Sequence, residues 1–269
     1  MKLLTCTLVF ICTSLLNISA CAQESQSTSA YLIDGETLTY SGSAPNLLFI
    51  GANAGKVTLK TSKIRSPGEY LEDWQIKLDL DLSGKIRWAY NYDASLSSIV
   101  DDKVFKFLKY NKKDGQPSRR REETYLASYE KKQVVSHYVH PDKTKSTKEL
   151  AFTEESLTDP LSLLYYLRTL SYDKKEGVTP PFKIFNRGKI TEVSLDYKYT
   201  TSRQRRSRKK VIHIKPSQAT RGTIIRKRDV EIFLDPETKI PLRINILGIP
   251  VIGKLVLELK SSNHPKLKL

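Results

Sequence analysis

The chain has 269 residues, of which 45 are Lys or Arg and 29 are Asp or Glu, for a formal net charge of +16. Its three cysteines, Cys6, Cys12 and Cys21, all lie near the start, so everything beyond them lacks the means for a disulfide, a thiolate metal site or a cysteine nucleophile. The cationic excess bears on solubility and anionic partners rather than on fold.

Residues 1–22 read as an export signal. Lys2 supplies a positive start, Leu3 to Leu16 form an apolar stretch too short to span a bilayer, and small residues follow. Ala20-Cys21-Ala22 fits small-x-small cleavage before Gln23, whereas Ile18-Ser19-Ala20-Cys21 resembles the bacterial lipobox, whose cysteine is acylated and becomes the first residue. The expectation is an exported protein, periplasmic or anchored to a membrane through lipidated Cys21 and facing the periplasm. Residues 23–30 are rich in Ser, Gln and Thr without apolar periodicity, as suits a tether. Signal removal leaves about 245 residues, enough for a substantial core. No Pro- or Gly-rich linker divides 31–260, so a single β domain is expected there, with a C-terminal tail at 261–269.

Short strands are predicted at 38–40, 47–50 and 56–61. Residues 74–82 give the clearest pattern: Trp74, Ile76, Leu78, Leu80 and Leu82 alternate with Gln75, Lys77, Asp79 and Asp81. Ser83-Gly84 supplies a turn and Ile86, Trp88 and Tyr90 resume the alternation, so 74–90 reads as a hairpin with one apolar face. Strands are predicted next at 103–110, 121–128 and 133–139. A helix of about three turns follows at 159–170, where Asp or Thr precedes Pro160 and Leu161, Leu164, Tyr165 and Arg168 recur at helical spacing. A lone helix in a β protein must bury its leucines, and the concave side of a curved sheet is the natural place. Further strands are predicted at 182–186, 190–201, 211–215, 229–234, 240–247 and 254–260, with turns at Asn186-Arg187-Gly188-Lys189 and Asp235-Pro236-Glu237-Thr238. The fold class is mainly antiparallel β.

Several motifs occur in order: Gly35-Glu36-x-Leu38-x-Tyr40, Ala54-Gly55 before a strand, Asp159-Pro160-Leu161-Ser162-x-Leu164-Tyr165-Tyr166-Leu167-Arg168, and Ile240-Pro241-Leu242 followed by Gly253. In these the chain resembles the bacterial exported family called domain of unknown function 3108, over about 31–260. The resemblance implies a curved sheet or half-barrel like that of periplasmic lipoprotein carriers, with a covering helix and an apolar cleft. It brings no catalytic residues. The basic segment 202–210 departs from the family pattern.

Chemistry-bearing constellations are absent from the sequence, and neither catalysis, metal nor cofactor is expected. His137, His140, His213 and His264 are scattered, and the first two, three apart on a strand, face opposite ways. There is no Gly-x-Ser-x-Gly, phosphate-binding Gly loop or His-Glu-x-x-His. Asp79 and Asp81 share a strand face with Gln75 and Lys77 and read as solvated. Asp159 reads as the helix cap and Arg168 as compensation for the helix dipole, although an Arg in a β cleft also suits an anionic headgroup.

The run Ser202 to Lys210 places Arg203, Arg205, Arg206, Arg208, Lys209 and Lys210 between two strands, six cations in nine residues. Arg221, Arg226, Lys227 and Arg228 follow, with no acidic residue between Arg203 and Arg228. Together they are candidates for one surface binding anionic lipid or an envelope polymer; the lack of interleaved aromatics argues against nucleic acid. Two functional readings follow: a non-enzymatic envelope protein binding a hydrophobic or anionic lipid-like ligand in or beside the sheet, or a structural protein acting through its basic surface. A dry cleft lined by Trp74, Ile76, Leu78 and the helix leucines would favour the first; a closed core would favour the second.

Overall fold

The computed structural model describes residues 32–45, 54–65, 72–82, 87, 91–102, 105–116, 119–204, 207–217, 230–249 and 253–267. The signal, Cys21, the tether and the strand expected at 47–50 lie outside them. Eight strands follow one another as an antiparallel meander: β1 (Thr37–Ser43), β2 (Gly55–Arg65), β3 (Glu72–Leu82), β4 (Asp93–Val100), β5 (Phe107–Gly115), β6 (Arg121–Ser128), β7 (Gln133–Val139) and β8 (Lys145–Ala151). Beyond the helix α1 (Leu163–Thr169) come β9 (Glu176–Val178) and a separate hairpin of β10 (Phe182–Asn186) and β11 (Lys189–Val193). A second meander runs through β12 (Leu195–Gln204), β13 (Ser207–Pro216), β14 (Val230–Leu234), β15 (Pro241–Ile249) and β16 (Gly253–Ser262).

β16 returns to pair with β1, with Leu38 opposite Ser262 and Ser43 opposite Val256. This seam joins the two meanders into one 14-stranded sheet, ordered from β8 through β1 and β16 to β12 and β9. Among the described residues no pairing joins β8 to β9, so the sheet is open rather than a closed barrel. Strand alternation buries one face: Leu38 and Tyr40, Val57 and Leu59, Trp74 and Ile76 all point into a single large core. Gly55 illustrates why its motif needs glycine. Its φ is +136°, and a Cβ there would lie 2.3 Å from the carbonyl oxygen of Asp81 on β3.

The sheet curves around the segment carrying α1, since residues far apart in the sheet order reach that segment. Ser98 of β4 donates to Asp159, Tyr172 meets Tyr197 of β12 edge to face, and Phe105 beside β5 meets Tyr166. The hairpin lies beneath the same segment, where Phe185 packs on Phe107 and Tyr125 while Thr158 bridges to Ile184. The interior is therefore filled by the helix, the two-stranded β10–β11 sheet and tyrosines rather than by a second large sheet.

Four sequence expectations change. β3 pairs with β4 at 93–100, whose serines hide its apolar alternation; of the return strand expected at 86–90 only Arg87 is among the described residues, and it has helical backbone. The helix is regular only over 163–169, since Pro160 to Ser162 form a turn closed by the Asp159 side chain. The strand expected at 190–201 is two strands in different sheets, broken at Ser194, whose carbonyl turns to accept from Ser217 N–H. Leu164 is only half-buried; Leu161, Tyr165, Leu167 and Leu170 carry the packing.

Candidate functional site

The motifs that run in order along the chain meet in space. Arg168 is fully buried, and its guanidinium donates from both terminal nitrogens to Glu36, at 2.7 and 3.1 Å. It also lies 5.2 Å from the Tyr165 ring centre. Tyr40, two strand positions along the same face as Leu38, donates its hydroxyl to the Pro241 carbonyl at 2.8 Å. Burial pushes the Tyr40 hydroxyl pKa well above its ordinary value, with the Tyr165 contact adding to the shift. Arg168 therefore clamps the helix to β1 and is closed off from any headgroup. The helix C-terminus is capped from elsewhere: Lys239 donates to the Leu170 carbonyl and Tyr172 to that of Leu167.

Asp159 caps the turn before α1, as its spacing predicts, accepting from the N–H groups of Leu161 and Ser162 at 2.8 and 3.1 Å. The Ser98 hydroxyl completes its shell. Burial raises the Asp159 pKa above the ordinary carboxylate range, against the lowering effect of these hydrogen bonds.

Trp74 and Ile76 are sealed in the core, so the cleft expected beside them is closed. An apolar slot of about 110 Å³ opens instead at the other arm of the sheet, between Leu163 and Leu164 of α1 and the inner side of β12–β14. Leu195, Ile214, Val230 and Ile232 form its wall, with Asn186 at the hairpin tip beside it. Alternation along β12–β14 signals these wall residues as apolar, but that they face a gap is set by tertiary packing. Engineered apolar cavities of about 150 Å³ stay dry and bind benzene, and drug-sized sites exceed about 300 Å³, so this slot suits the end of a chain or ring.

The basic run is more ordered than a loop. β12 and β13 continue to Gln204 and Ser207, so Arg203 and Arg208 face each other in register, as do Ser202 with Lys209 and Thr201 with Lys210. Arg208 and Lys210 are exposed, and Lys210 lies 5.0 Å from the Tyr199 ring centre. Arg205, Arg206, Arg221, Arg226, Lys227 and Arg228 lie outside the described residues. The histidines stay apart: His137 meets Thr147 and His140 meets Ser146, and no metal-ligand cluster occurs among the described residues. Asp79 and Asp81 are exposed, as expected. No helix among the described residues is long and apolar enough to cross a membrane.

The signature of the family described as "Protein of unknown function (DUF3108)" matches residues 37–260. The chain belongs to the DUF3108 family. The match runs from β1 into β16 and takes in Tyr40, Arg168 and Pro241, while Glu36, the partner of Arg168, lies just before its start. No curated protein matches the chain. Among solved structures, it is similar to a beta-barrel-like protein of domain of unknown function DUF1849 from Brucella abortus, at 9% identity and a TM-score of 0.47, covering 86% of this chain and 98% of that one.

Proposed function

We propose that this DUF3108 protein is an exported, non-enzymatic binding module of the cell envelope, tethered through acylated Cys21, that takes the apolar end of a lipid-like ligand. The observation that carries the reading is the slot between α1 and β12–β14, since a gap walled by Leu163, Leu164, Ile214 and Ile232 gains free energy by excluding water. Its size supports insertion of a chain terminus rather than enclosure of a whole lipid. The sealed core around Trp74 favours the alternative, a structural protein acting through its basic surface, in the β1–β8 arm only.

A fluorescent polyene fatty acid provides the test. Saturable binding, displaced by unlabelled palmitate and lost in Leu163→Trp, which fills the slot from a half-buried position, is the expected result. Equal binding by a folded Leu163→Trp variant overturns the slot as the site.

A further inference from the structure

A second, polar cleft of about 420 Å³ lies between β5–β7 and the tip of the β10–β11 hairpin. Lys112, Arg119, Arg121 and Arg187 line it, against two carboxylates, Asp114 and Glu123. Those carboxylates are already engaged. The Lys112 ammonium lies 2.9 Å from Asp114 and 3.8 Å from Glu123, while Tyr92 donates to Asp114 and Tyr125 donates to Glu123 at 2.6 Å. Among the described residues no ion pair joins Arg119, Arg121 or Arg187 to a carboxylate. Three guanidiniums therefore border one cleft whose two carboxylates are offset in part by Lys112 and hydrogen-bonded by Tyr92 and Tyr125, so its cations outnumber its anions.

The hairpin turn adds an independent observation. Arg187 has φ +52° and Gly188 φ +72°, the left-handed pair of a type I′ turn. Asn or Gly takes the first of these positions at little cost, whereas Arg does so against its backbone preference. The chain thus holds a guanidinium at the cleft where turn chemistry alone would select another residue.

We infer that this cleft binds a multiply charged oxyanion, a phosphate or phosphate monoester, through Arg119, Arg121 and Arg187. Guanidiniums present planar paired donors that match phosphate oxygens, and three exposed ones bordering a single cleft can act on one anion together. The inference stands without the apolar slot. Inorganic phosphate and a lipid headgroup share this chemistry, and the slot-lining Asn186 is the direct neighbour of Arg187.

The test titrates inorganic phosphate into the protein while arginine Nε–H resonances are followed by NMR. Saturable shifts in a subset of arginines are expected, with affinity falling about tenfold in Arg187→Asn. Asn suits the left-handed turn, so that variant keeps the hairpin and its melting temperature. Lys131→Gln, exposed in the turn between β6 and β7 and outside the cleft lining, should leave phosphate affinity unchanged. Absence of saturable shifts, or equal affinity in parent and Arg187→Asn, overturns the inference. Equimolar phosphatidylglycerol and phosphatidylcholine vesicles then separate the sources, with Arg203, Arg205, Arg206 and Arg208 replaced by Gln in both proteins so that the basic hairpin tip does not itself hold the vesicle. Vesicle binding that is competed by phosphate and lost in Arg187→Asn assigns a headgroup; vesicle binding kept by Arg187→Asn, with phosphate binding lost, assigns a free small anion. Fatty-acid binding by Arg187→Asn should match the parent, so failure here is separable from failure of the slot.

Discussion

Glu36 and Arg168, 132 residues apart in the chain, form a two-pronged ion pair with both side chains sealed from solvent. Such a pair is costly to break on one side, because the remaining charge stays buried, yet replaceable as a unit. Glu36→Gln is expected to lose about 3–5 kcal/mol in urea unfolding, while Glu36→Leu combined with Arg168→Met recovers most of that. A Glu36→Gln protein as stable as the parent would show that the pair does not clamp α1 to β1.

Asp159 yields a pH dependence. Its folded pKa is raised by burial, so the folded state holds the proton more tightly than the unfolded chain does. Stability is then greatest with the group protonated and falls as pH rises from about 4, its unfolded value, through the folded pKa. Asp159→Asn keeps an acceptor for Leu161 and Ser162 but cannot ionise. Unfolding free energy measured from acid to neutral pH should decline less in Asp159→Asn than in the parent, and parallel curves would contradict the assignment.

The helix leucines should separate by burial. Leu167→Ala, at a fully buried site, is expected to cost about 2–5 kcal/mol, whereas Leu164→Ala at the slot wall should cost about 1 kcal/mol. Equal losses in thermal melts would mean that the slot is packed shut around Leu164.

Lipidation rests on Ile18-Ser19-Ala20-Cys21 and the lack of any later cysteine. Mass spectrometry of the native protein should find Cys21 acylated and first in the mature chain, with Cys21→Ser released from membranes but folded. A mature chain beginning at unmodified Gln23 would exclude the anchor.

For the basic hairpin, replacing Arg203, Arg205, Arg206 and Arg208 by Gln should abolish most binding to anionic vesicles at low salt and leave melting unchanged, because solvated charges contribute little to the fold. Vesicle binding equal to the parent's would return this tip to a merely solvated one.

The sequence revealed most strands because alternation directly encodes a one-sided sheet; Trp74, Ile76 and Leu78 on β3 read plainly. β4 and β8 were hidden, since Ser95, Ser97 and Ser98, or the Lys and Thr of 145–148, carry too little apolar contrast. The cap at Asp159 was legible because its partners are two and three residues away. The partner of Arg168 was not, because nothing local marks a carboxylate 132 residues upstream. The same limit applies to the slot and the arginine cleft, whose residues come from three or more elements each.

The β1–β16 seam has a consequence for synthesis. β1 is among the first elements made, yet one whole edge of it must wait for Gly253–Ser262. Until those residues arrive, the β1–β8 meander carries a long row of unpaired backbone donors and acceptors beside an uncovered apolar face. A ribosome stalled or a chain cut anywhere after β8 would release that half-sheet with a sticky margin, so the cell's need for a holding chaperone should end only with the last strand.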